Sequence, residues 1–570
     1  MSGISRSTYT ERLMPEQPWF AHYPEGVPHE LSLSPETLLA MFSLSAQRFS
    51  RRPALYFFGK TISYRECNSL VERFACGLAA LGIRKGDRVA LCLPNSPQAV
   101  IAYFGILRAG GIVVSCNPTY TEYELSHQLR DAGARAIVVL DMMYQKIQHL
   151  GLELIIVTRI TDFMTTIAKY IYQRRNGRPP IVIPCSDTTL FFHALLDGVP
   201  PVAPEELPIV TPDDIAVLQY TGGTTGVSKG AELRHRNLMA NIRQLTSWFA
   251  PTERTESFLA ALPLFHVFGM TVTQNICLAV GGCMVLVPDP RNMQVLLSLI
   301  RKKQPTVVSL VPVLVQKLLE HCNEKDFEAA RFCICGGSAL SYELLKKFKE
   351  RTGQLITEGY GLSEAAPVTH CNIARGLSVK HSIGLPIANT EAKIVDETGQ
   401  EVPLGGIGEL WVRGPQVMQG YWNNPAETAK VQKPEGWLAT GDMARMDEDG
   451  FFYIVDRKKD MILSTSGFNV YPSEIEKVLL LHPEVREAAV IGVLSKDGSE
   501  SVKAVVVLSA NEISEHDLMK HCRRYLAPYK VPRHIEFRPE LPRTLLGKTL
   551  YRVLRKEEEE RLHPQHIRAS

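Results

Sequence analysis

Short apolar strands that alternate with helical stretches constrain the fold of this chain most strongly. Val89–Leu93, Ile112–Ser115 and Ala136–Leu140 are short, mostly aliphatic runs, and segments with helical spacing separate them. Val307–Val311 and Phe332–Cys335 continue the pattern further along the chain. Strands separated by helices pair in parallel, and the helices cover both faces of the sheet. The chain is therefore predicted to have an α/β fold built on parallel sheets.

Length and composition indicate a globular protein with more than one domain. The chain has 570 residues, of which 45% are hydrophobic and 22% charged, and this length predicts about two to four domains. A formal charge of +3 gives no sign of a nucleic-acid-binding surface. Because the 12 cysteines form no CxxC pair and no signal peptide is recognised, a reducing cytoplasm is expected. No apolar run reaches the roughly 20 residues of a membrane-spanning helix.

Composition and motif order divide the chain into four parts. Residues 1–34, rich in proline, tyrosine and charge, predict an arm packed on the surface. Residues 35–457 predict a large N-terminal domain of parallel α/β sheets. Within it, residues 384–455 have many glycines and short strands and predict a small β-barrel-like subdomain. Residues 458–570 predict a small, mobile α+β domain at the C-terminal end.

A loop rich in glycine and threonine follows the predicted buried strand Ile215–Tyr220 and precedes a predicted helix at Asn237–Phe249. Glycines let backbone N–H groups converge on an anion, hydroxyls donate to its oxygens, and Lys229 adds a mobile cation. The loop is not a Walker A motif, since no glycine stands five residues before a Gly-Lys-Ser/Thr. A flexible surface loop is the alternative. We predict a triphosphate site formed by Thr221, Gly222, Gly223, Thr224, Thr225, Gly226 and Lys229.

Further motifs offer groups that suit a nucleotide. Glu358–Glu364 has the sequence EGYGLSE, in which Tyr360 between glycines presents an uncrowded ring to adenine and Glu364 presents a hard oxygen ligand to magnesium. An exposed turn is the alternative for this string. Asp442, after Thr-Gly, can accept hydrogen bonds from both ribose hydroxyls. Gly336-Gly337 follows an apolar strand, where a flat ligand can lie against bare backbone.

In this order, the motifs resemble those of the adenylate-forming enzymes, which include acyl- and aryl-CoA synthetases, peptide-synthetase adenylation domains and luciferases. The resemblance extends over about residues 35–556. Leu218–Val227, LQYTGGTTGV, is most similar to the bacterial long-chain fatty acid–CoA ligases. The resemblance implies that residues 35–457 form an AMP-binding domain, and that the ligands are ATP, Mg²⁺, a fatty acid and coenzyme A.

The resemblance also implies roles for residues in and around the small domain. Lys548, which ends the motif Leu541–Lys548, matches the lysine that acts in adenylation. Arg457 matches an arginine that contacts ribose, and Lys459 falls at the pivot between the large and small domains. Gly467 lies in a loop on the thiol side. That loop is one residue longer than the family pattern, so its geometry is left open.

Within the large domain, the resemblance implies that Tyr360 stacks on adenine, that Ser363 touches phosphate, and that Glu364 holds Mg²⁺ together with Thr221. His266 ends the apolar run that begins at Ala260. It matches a position beside the reacting carboxylate, as a positioning group and not a base, and a satisfied core histidine is the alternative. The remaining residues implied in nucleotide binding are Gly336, Gly337, Glu358, Gly359, Gly361 and Asp442.

The segment 158–202 departs from the strand–helix rhythm. Its apolar residues form one helical stripe, and cations lie beside or just beyond it: Ile160, Phe163, Met164, Ile167 and Ile171, with Lys169, Arg174, Arg175 and Arg178. A basic amphipathic helix can lie in a membrane interface, and a surface helix packed on its own domain is the alternative. The expected location is the cytoplasm. Peripheral contact with the inner face of the cell membrane stays open, as does a homodimer.

The expected reaction is activation of a medium- or long-chain fatty acid by ATP to acyl-AMP, with release of pyrophosphate, followed by transfer to coenzyme A. A fatty acyl-AMP ligase that loads a carrier protein, an aryl-CoA ligase and a luciferase-like oxygenase are alternatives within the family. A non-enzymatic nucleotide- or lipid-binding protein is the alternative from another class. The presence of Lys548, Glu364 and Asp442 argues against it. No nucleic-acid partner is expected.

Overall fold

The computed structural model describes residues 17–176, 181–197, 203–221, 228–373, 381–463, 469–494, 500–509, 513–544 and 547–562. Its strands, in chain order, are β1 Pro53–Phe57, β2 Lys60–Ser63, β3 Arg88–Cys92, β4 Ile112–Ser115, β5 Ala136–Leu140, β6 Leu154–Thr158, β7 Thr189–Phe191, β8 Ile215–Thr221, β9 Lys229–Arg234, β10 Ser257–Ala260, β11 Cys283–Leu286, β12 Val307–Leu310, β13 Phe332–Cys335, β14 Ile356–Gly361, β15 Val368–Cys371, β16 Leu385–Pro386, β17 Glu391–Val395, β18 Gly408–Arg413, β19 Leu438–Met446, β20 Phe452–Arg457, β21 Ile462–Leu463, β22 Asn469–Val470, β23 Val485–Leu494, β24 Glu500–Leu508 and β25 His534–Phe537.

The helices, in the same order, are α1 Leu38–Arg48, α2 Tyr64–Ala80, α3 Pro97–Arg108, α4 Glu122–Ala132, α5 Tyr144–Ile147, α6 Thr166–Asn176, α7 Phe192–Asp197, α8 His235–Phe249, α9 Ile276–Ala279, α10 Met293–Lys303, α11 Pro312–His321, α12 Tyr342–Thr352, α13 Pro425–Val431, α14 Pro472–Leu480, α15 Glu515–Cys522 and α16 Tyr551–Leu562. A π-helical stretch, Gly269–Asn275, leads directly into α9. Within the described ranges, no helix is both long and apolar enough to cross a membrane.

Two large sheets form the N-terminal part. One has seven strands in the order β7-β6-β5-β3-β4-β8-β9, and all its pairs are parallel except β8–β9. The other has nine strands in the order β16-β15-β14-β13-β12-β10-β11-β1-β2, with parallel pairing from β14 to β1. Strands β4, β5 and β6 are buried along their whole length, as expected where helices cover both faces. The predicted α/β class is confirmed.

The predicted subdomain at residues 384–455 contains an antiparallel sheet of four strands in the order β17-β18-β19-β20. In the described residues, its outer strands β17 and β20 do not pair with each other, so the sheet is open and not a closed barrel. The described part of the N-terminal arm lies close by. Trp19 packs against Phe452, with ring centroids 5.9 Å apart, and the Tyr23 hydroxyl donates to the Pro386 carbonyl at 2.6 Å.

The C-terminal part has its own small sheet and apolar core. Strands β23, β24 and β25 form this sheet, and helix α14 packs against β23 with α16 on the same strand. Buried residues on its two faces form separate clusters around Ile475 and Leu554. This is the small α+β unit that the sequence predicts. The domain boundaries 1–34, 35–457 and 458–570 stay predictions.

The carboxyl ends of the parallel strands set the position of the candidate site. Strands β10, β12, β13 and β14 are neighbours in the nine-stranded sheet and point the same way. In open α/β sheets, ligands bind beyond this edge. The segments that leave it are 261–268 after β10, the Gly336-Gly337 turn after β13, and the end of β14 itself. Every one of them carries a residue that the sequence analysis selects.

Candidate active site

The buried carboxylate of Asp442 contacts two other predicted nucleotide-binding residues, Arg457 and Tyr360. Asp442, on β19, is 2% exposed. Its Oδ1 lies 2.7 Å from Nε of Arg457, and its Oδ2 accepts a hydrogen bond of 2.5 Å from the Tyr360 hydroxyl. Asp442 and Arg457 are direct neighbours on the paired strands β19 and β20. Burial, and then the Asp442 charge, raise the pKa of Tyr360 well above its ordinary value. The phenol therefore stays neutral and its ring is held in place.

Backbone lies close to two of the glycines near Tyr360, Gly361 and Gly336. A Cβ at Gly361 would lie 2.1 Å from the Pro367 carbonyl oxygen, and one at Gly336 would lie 3.0 Å from the Gly359 carbonyl oxygen. Gly337 has a φ of +87°, a conformation that favours glycine. Glycine at these positions thus lets the turn after β13 and the end of β14 lie close to neighbouring backbone near the Tyr360 ring.

His370, on β15, packs against the Tyr360 ring and is not among the residues predicted from the sequence. Its ring centroid lies 5.8 Å from that of Tyr360 and 4.8 Å from that of Phe452. Nδ1 lies 2.9 Å from the Thr369 hydroxyl oxygen, and Nε2 is buried with no hydrogen-bond partner among the described residues. Burial lowers the pKa of His370 to about 3, so the ring is neutral at pH 7. No local pattern in the sequence marks such a residue.

The Glu358 side chain binds the loop that follows β13. Its Oε1 accepts a hydrogen bond of 3.2 Å from the backbone N–H of Leu340. Leu340 belongs to the segment that begins at Gly336-Gly337. Burial raises the pKa of Glu358 to about 7. The side chain therefore connects β14 with the loop that follows β13, and its predicted part in nucleotide binding stays a prediction.

Glu364 and Lys229 meet around Tyr421, a residue that the sequence analysis does not select. The Tyr421 hydroxyl donates to Oε1 of Glu364 at 2.8 Å, and Nζ of Lys229 lies 5.3 Å from the centroid of the Tyr421 ring. Lys229 also pairs with Glu427. The cations of Lys229 and Lys430 lower the pKa of Glu427 to about 2. Lys229 therefore already has a carboxylate partner in the structure, and its remaining N–H donors are the ones that a phosphate could use.

The ends of the glycine-rich loop lie next to each other. Thr221 and Lys229 are opposite residues on the antiparallel strands β8 and β9. The Ser228 hydroxyl donates to the Thr221 carbonyl at 2.6 Å. Residues 222–227 therefore connect the two strands of a hairpin, and β9 follows them in the chain before helix α8. Its predicted phosphate-binding residues Gly222, Gly223, Thr224, Thr225 and Gly226 lie outside the described residues, as does Gly467.

His266 lies in the segment that follows β10, and side chains distant in sequence hold this segment in place. Nδ2 of Asn95 donates to the carbonyls of Ala260 and Leu262, and its Oδ1 accepts from the Leu264 N–H, each at 2.8 Å. Gln219 donates to the Phe265 carbonyl at 3.2 Å. Burial, and then the cation of Lys548, lower the pKa of His266 to about 4. The imidazole is therefore neutral at pH 7.

Lys548 is brought to the same cleft from the small domain. A Cβ at the preceding Gly547 would lie 2.1 Å from Cγ2 of Val313 on α11, so Gly547 packs directly against the large domain. The Lys548 side chain is exposed to the solvent of the cleft, yet protein surrounds it on most sides. The resulting loss of hydration, and then the cation of Arg457, lower the pKa of Lys548 to about 8.

Lys459 lies between two anchored residues. The N–H of Lys458 donates to the Gly441 carbonyl at 3.0 Å, and its Nζ lies 2.9 Å from Oε2 of Glu409. Asp460 accepts a hydrogen bond of 2.8 Å from Arg555 on α16 of the small domain. The Lys459 side chain is exposed. Lys459 is thus the one residue between Lys458, which contacts the large domain, and Asp460, which contacts the small domain.

The structure brings five of the predicted residues together. Tyr360, Asp442, Arg457, His266 and Lys548 are connected by hydrogen bonds or by their mutual charge effects. Ser363 begins a short 3-10 turn, Ser363–Ala365, that also carries Glu364. The residues that were missed, Tyr421, Glu427, His370, Asn95 and Gln219, act through contacts between distant segments, which spacing along the chain does not reveal.

Comparisons with known proteins agree with this geometry. Residues 42–422 match the family described as AMP-binding enzyme, and residues 474–548 match the AMP-binding enzyme C-terminal domain. The chain is 42% identical to the long-chain-fatty-acid–CoA ligase of Bacillus subtilis (strain 168) over 562 residues, which is 96% of this chain and 99% of that protein. It is also 42% identical to the enzyme of the same name from Yersinia pestis, over 95% of this chain and 98% of that protein.

A solved structure is similar as well. The crystal structure of ATP-bound MatB from Rhodopseudomonas palustris has a TM-score of 0.80 and 30% identity, and the match covers 92% of this chain and 99% of that one. The two family matches fall on the large and small parts of the fold in the expected order. The motifs, the cleft and the near full-length identity lead to one conclusion: the chain belongs to the AMP-binding enzymes, the adenylate-forming family that its sequence resembles.

Proposed function

We propose that the protein is an AMP-forming acid–thiol ligase that converts a medium- or long-chain fatty acid, ATP and coenzyme A into acyl-CoA, AMP and pyrophosphate. The observation that carries this proposal is the convergence of Tyr360, Asp442 and Arg457 with Lys548 of the small domain in one cleft. The fatty-acid class rests on the names of the relatives that are 40–42% identical over nearly the full length of the chain.

In the first half-reaction, a carboxylate oxygen of the fatty acid attacks the α-phosphorus of ATP, and the bond to the β-phosphate oxygen breaks. Pyrophosphate leaves with the electron pair. Alignment and charge neutralisation supply most of the acceleration in such transfers. With a pKa of about 8, Lys548 is mostly protonated at pH 7 and can neutralise charge on the phosphoryl oxygens. Neutral His266 can orient the carboxylate without competing for that charge.

The residues present also fit a magnesium ion. Among the described residues, no group of three or more His, Cys, Asp or Glu side chains is arranged to hold a metal. Mg²⁺ usually binds one or two carboxylates together with substrate phosphates, and Glu364 has one oxygen committed to Tyr421 and a second one for an ion. Glu364 would hold it together with the Thr221 hydroxyl. When bound, the ion neutralises phosphate charge.

In the second half-reaction, the thiol sulfur of coenzyme A attacks the carbonyl carbon of acyl-AMP. AMP leaves with the electrons of the broken C–O bond, and the thiol proton passes to solvent or to the departing phosphate. Lys548 occupies the cleft in the present arrangement, so the small domain has to move before the thiol can approach. Lys459, between its two anchored neighbours, is the residue at which we propose that this rotation occurs.

A panel of acids tests the proposal. The protein is incubated with ATP, Mg²⁺ and coenzyme A together with acetate, decanoate, palmitate or benzoate, and AMP and thioester masses are measured. Each buried methylene adds roughly 0.8 kcal/mol of binding, so we expect kcat/KM to rise with chain length up to the limit of the pocket. Better turnover of benzoate or acetate would contradict the fatty-acid class. Acyl-AMP without thioester would favour loading of a carrier protein.

The proposal also covers the location of the enzyme in the cell. A long-chain fatty acid partitions into lipid, and we propose that the enzyme is cytoplasmic and contacts the inner face of the cell membrane peripherally.

A further inference from the structure

Tyr421 connects two parts of the candidate site that come from different sheets. Its hydroxyl donates to Oε1 of Glu364, which follows strand β14, at 2.8 Å. Its ring centroid lies 5.3 Å from Nζ of Lys229, the first residue of β9. The Tyr421 side chain is buried, and burial, followed by the Glu364 charge, raises the pKa of its phenol. Tyr421 is therefore a neutral donor that binds the carboxylate.

Main-chain pairing with the edge strand β9 fixes the position of Tyr421. Tyr421 lies opposite Ala231 in an antiparallel bridge. The N–H of Glu232 donates to the Gly420 carbonyl at 2.9 Å. Strand β9 ends the seven-stranded sheet, so the segment 418–422 extends that sheet along its free edge. The phenol therefore projects from a backbone that the sheet holds in place.

The same segment holds Glu364 at both its backbone and its side chain. The N–H of Met418 donates to the Glu364 carbonyl at 2.7 Å, while the Tyr421 hydroxyl binds Oε1. Of the residues that the structure describes, none donates a hydrogen bond to the other carboxylate oxygen, Oε2. The carboxylate is thus held through one oxygen and offers the second one.

We infer that Tyr421 determines which metal ion accompanies ATP, because its hydroxyl makes Glu364 a ligand that prefers Mg²⁺ to Ca²⁺. The hydrogen bond occupies a lone pair of Oε1 and resists rotation of the carboxylate, so Oε2 is the oxygen most available to an ion. Mg²⁺ needs near-octahedral geometry and few carboxylate contacts, whereas Ca²⁺ also accepts both oxygens of one carboxylate. Tyr421 touches no ion itself and is a positioning residue that acts through Glu364.

Binding of ATP to the full-length protein, without fatty acid or coenzyme A, tests the inference. The dissociation constant of ATP is measured by calorimetry with Mg²⁺, with Ca²⁺ and with EDTA. The test variant is Tyr421→Phe, which removes the hydroxyl and keeps the ring beside Lys229. The matched control is Tyr453→Phe, since the Tyr453 hydroxyl donates to Oδ2 of Asp447 at 2.7 Å, in a tyrosine–carboxylate pair outside the candidate site.

We expect the parent protein to bind ATP more tightly with Mg²⁺ than with Ca²⁺. Tyr421→Phe should reduce the ratio of the Ca²⁺ dissociation constant to the Mg²⁺ dissociation constant roughly tenfold or more, and it should leave ATP binding in EDTA unchanged. Tyr453→Phe should keep the parental ratio. A parental ratio in Tyr421→Phe, or a parent protein without preference for Mg²⁺, would overturn the inference.

A double variant shows whether the hydroxyl acts through the carboxylate. Glu364→Gln should itself lower the preference for Mg²⁺. When Tyr421→Phe is added to Glu364→Gln, we expect no further change in the ratio, because the two substitutions remove one shared interaction. A further loss of the same size as in the parent background would show that Tyr421 acts by another contact and would contradict the inference.

The thioester assay separates this inference from the proposed function, on which it rests only for the binding of metal and ATP at Glu364. A protein whose ion preference depends on Tyr421 but that forms no thioester would contradict the proposed function and support the inference. A protein that forms thioester, and whose ion preference is the same with and without the Tyr421 hydroxyl, would support the proposed function and overturn the inference.

Discussion

At the scale of single residues, the charge of Lys548 is expected to control the rate of adenylation directly. Its pKa of about 8 means that the cation is present below pH 8 and is lost as the pH rises through that value. We therefore expect the rate of acyl-AMP formation to fall about tenfold per pH unit above pH 8. Lys548→Ala should reduce the rate of acyl-AMP formation roughly 100-fold or more and abolish its decline above pH 8. Single-turnover formation of acyl-AMP between pH 6.5 and 9.5 measures both effects.

The second half-reaction is the internal control for this pH dependence. Thioester formation from supplied acyl-AMP needs a thiolate, whose fraction grows with pH, and it does not need the Lys548 cation. Its rate should rise over the range in which adenylation falls. A parallel decline of both rates, or a descent that persists in Lys548→Ala, would show that another group is titrating.

Asn95 is the second residue with a testable role. Its amide makes three hydrogen bonds to the segment that leads to His266. Asn95→Ala would leave buried backbone groups without partners, and we expect a loss of about 1–3 kcal/mol in the free energy of unfolding. We also expect KM for the fatty acid to rise while KM for ATP changes less, because the segment borders the proposed carboxylate position.

Asn237 is the matched control, since its amide makes three similar bonds, to Arg234, Pro415 and Val417. Asn237→Ala should lower stability to a similar extent with an unchanged KM for the acid. If both variants change only stability, the clamp at Asn95 has a purely structural role. Urea unfolding and steady-state kinetics at varied decanoate give the two readouts.

The candidate site shows which residues local sequence can reveal. Tyr360 and Asp442 stand in short motifs whose composition already suits a nucleotide ligand, the family resemblance adds Lys548, and the structure brings the three together. Tyr421 and Glu427 come from a segment without such a motif, and they become relevant only because the fold places them against Glu364 and Lys229. Contacts of this kind depend on tertiary packing, and one sequence carries no signal for them.

At the scale of elements, the same limit applies to strands. The alternating apolar runs predict the parallel sheets because buried strands such as β5 are apolar throughout. Strand β9 has the sequence KGAELR, with charges and a glycine. No strand is predicted from the sequence between the glycine-rich loop and the following helix. Its extended form depends on pairing with β8. Helix α8 then begins at His235, two residues before the predicted start.

Strand β14 provides a prediction at this scale. A Cβ at Gly361 would clash with the Pro367 carbonyl, whereas the nearest atom to a Cβ at Gly359 would be 3.7 Å away. Gly361→Ala should therefore lower the free energy of unfolding by about 1–3 kcal/mol, and Gly359→Ala should stay within about 0.5 kcal/mol of the parent. Denaturant titrations compare the two. Equal stability of both variants would mean that the turn between β14 and β15 relaxes without cost.

At the scale of the whole molecule, the small domain has to serve two half-reactions in one cleft. In the structure, Gly547 packs against Val313 on α11, and Lys548 is near enough to Arg457 and Asp442 for their charges to shift its pKa, an arrangement that fits the proposed adenylation step. The chain between the domains is held on one side by Lys458 and on the other by Asp460. A rotation that keeps both contacts has to occur in the backbone between them, and we propose that Lys459, the residue at its centre, takes most of the change.

Proline at this position would fix φ near −65° and restrict the rotation. We expect Lys459→Pro to impair thioester formation from supplied acyl-AMP far more than acyl-AMP formation from ATP and acid. Lys459→Ala, which removes the charge and leaves the backbone free, should retain both half-reactions and is the matched control. Lys548→Ala should show the reverse pattern, with adenylation lost and thioester formation retained. Rapid-quench measurement of each half-reaction distinguishes these variants. Equal losses in both half-reactions for Lys459→Pro and Lys548→Ala would contradict the division of labour, because a small domain with a single working orientation would be affected in both steps alike.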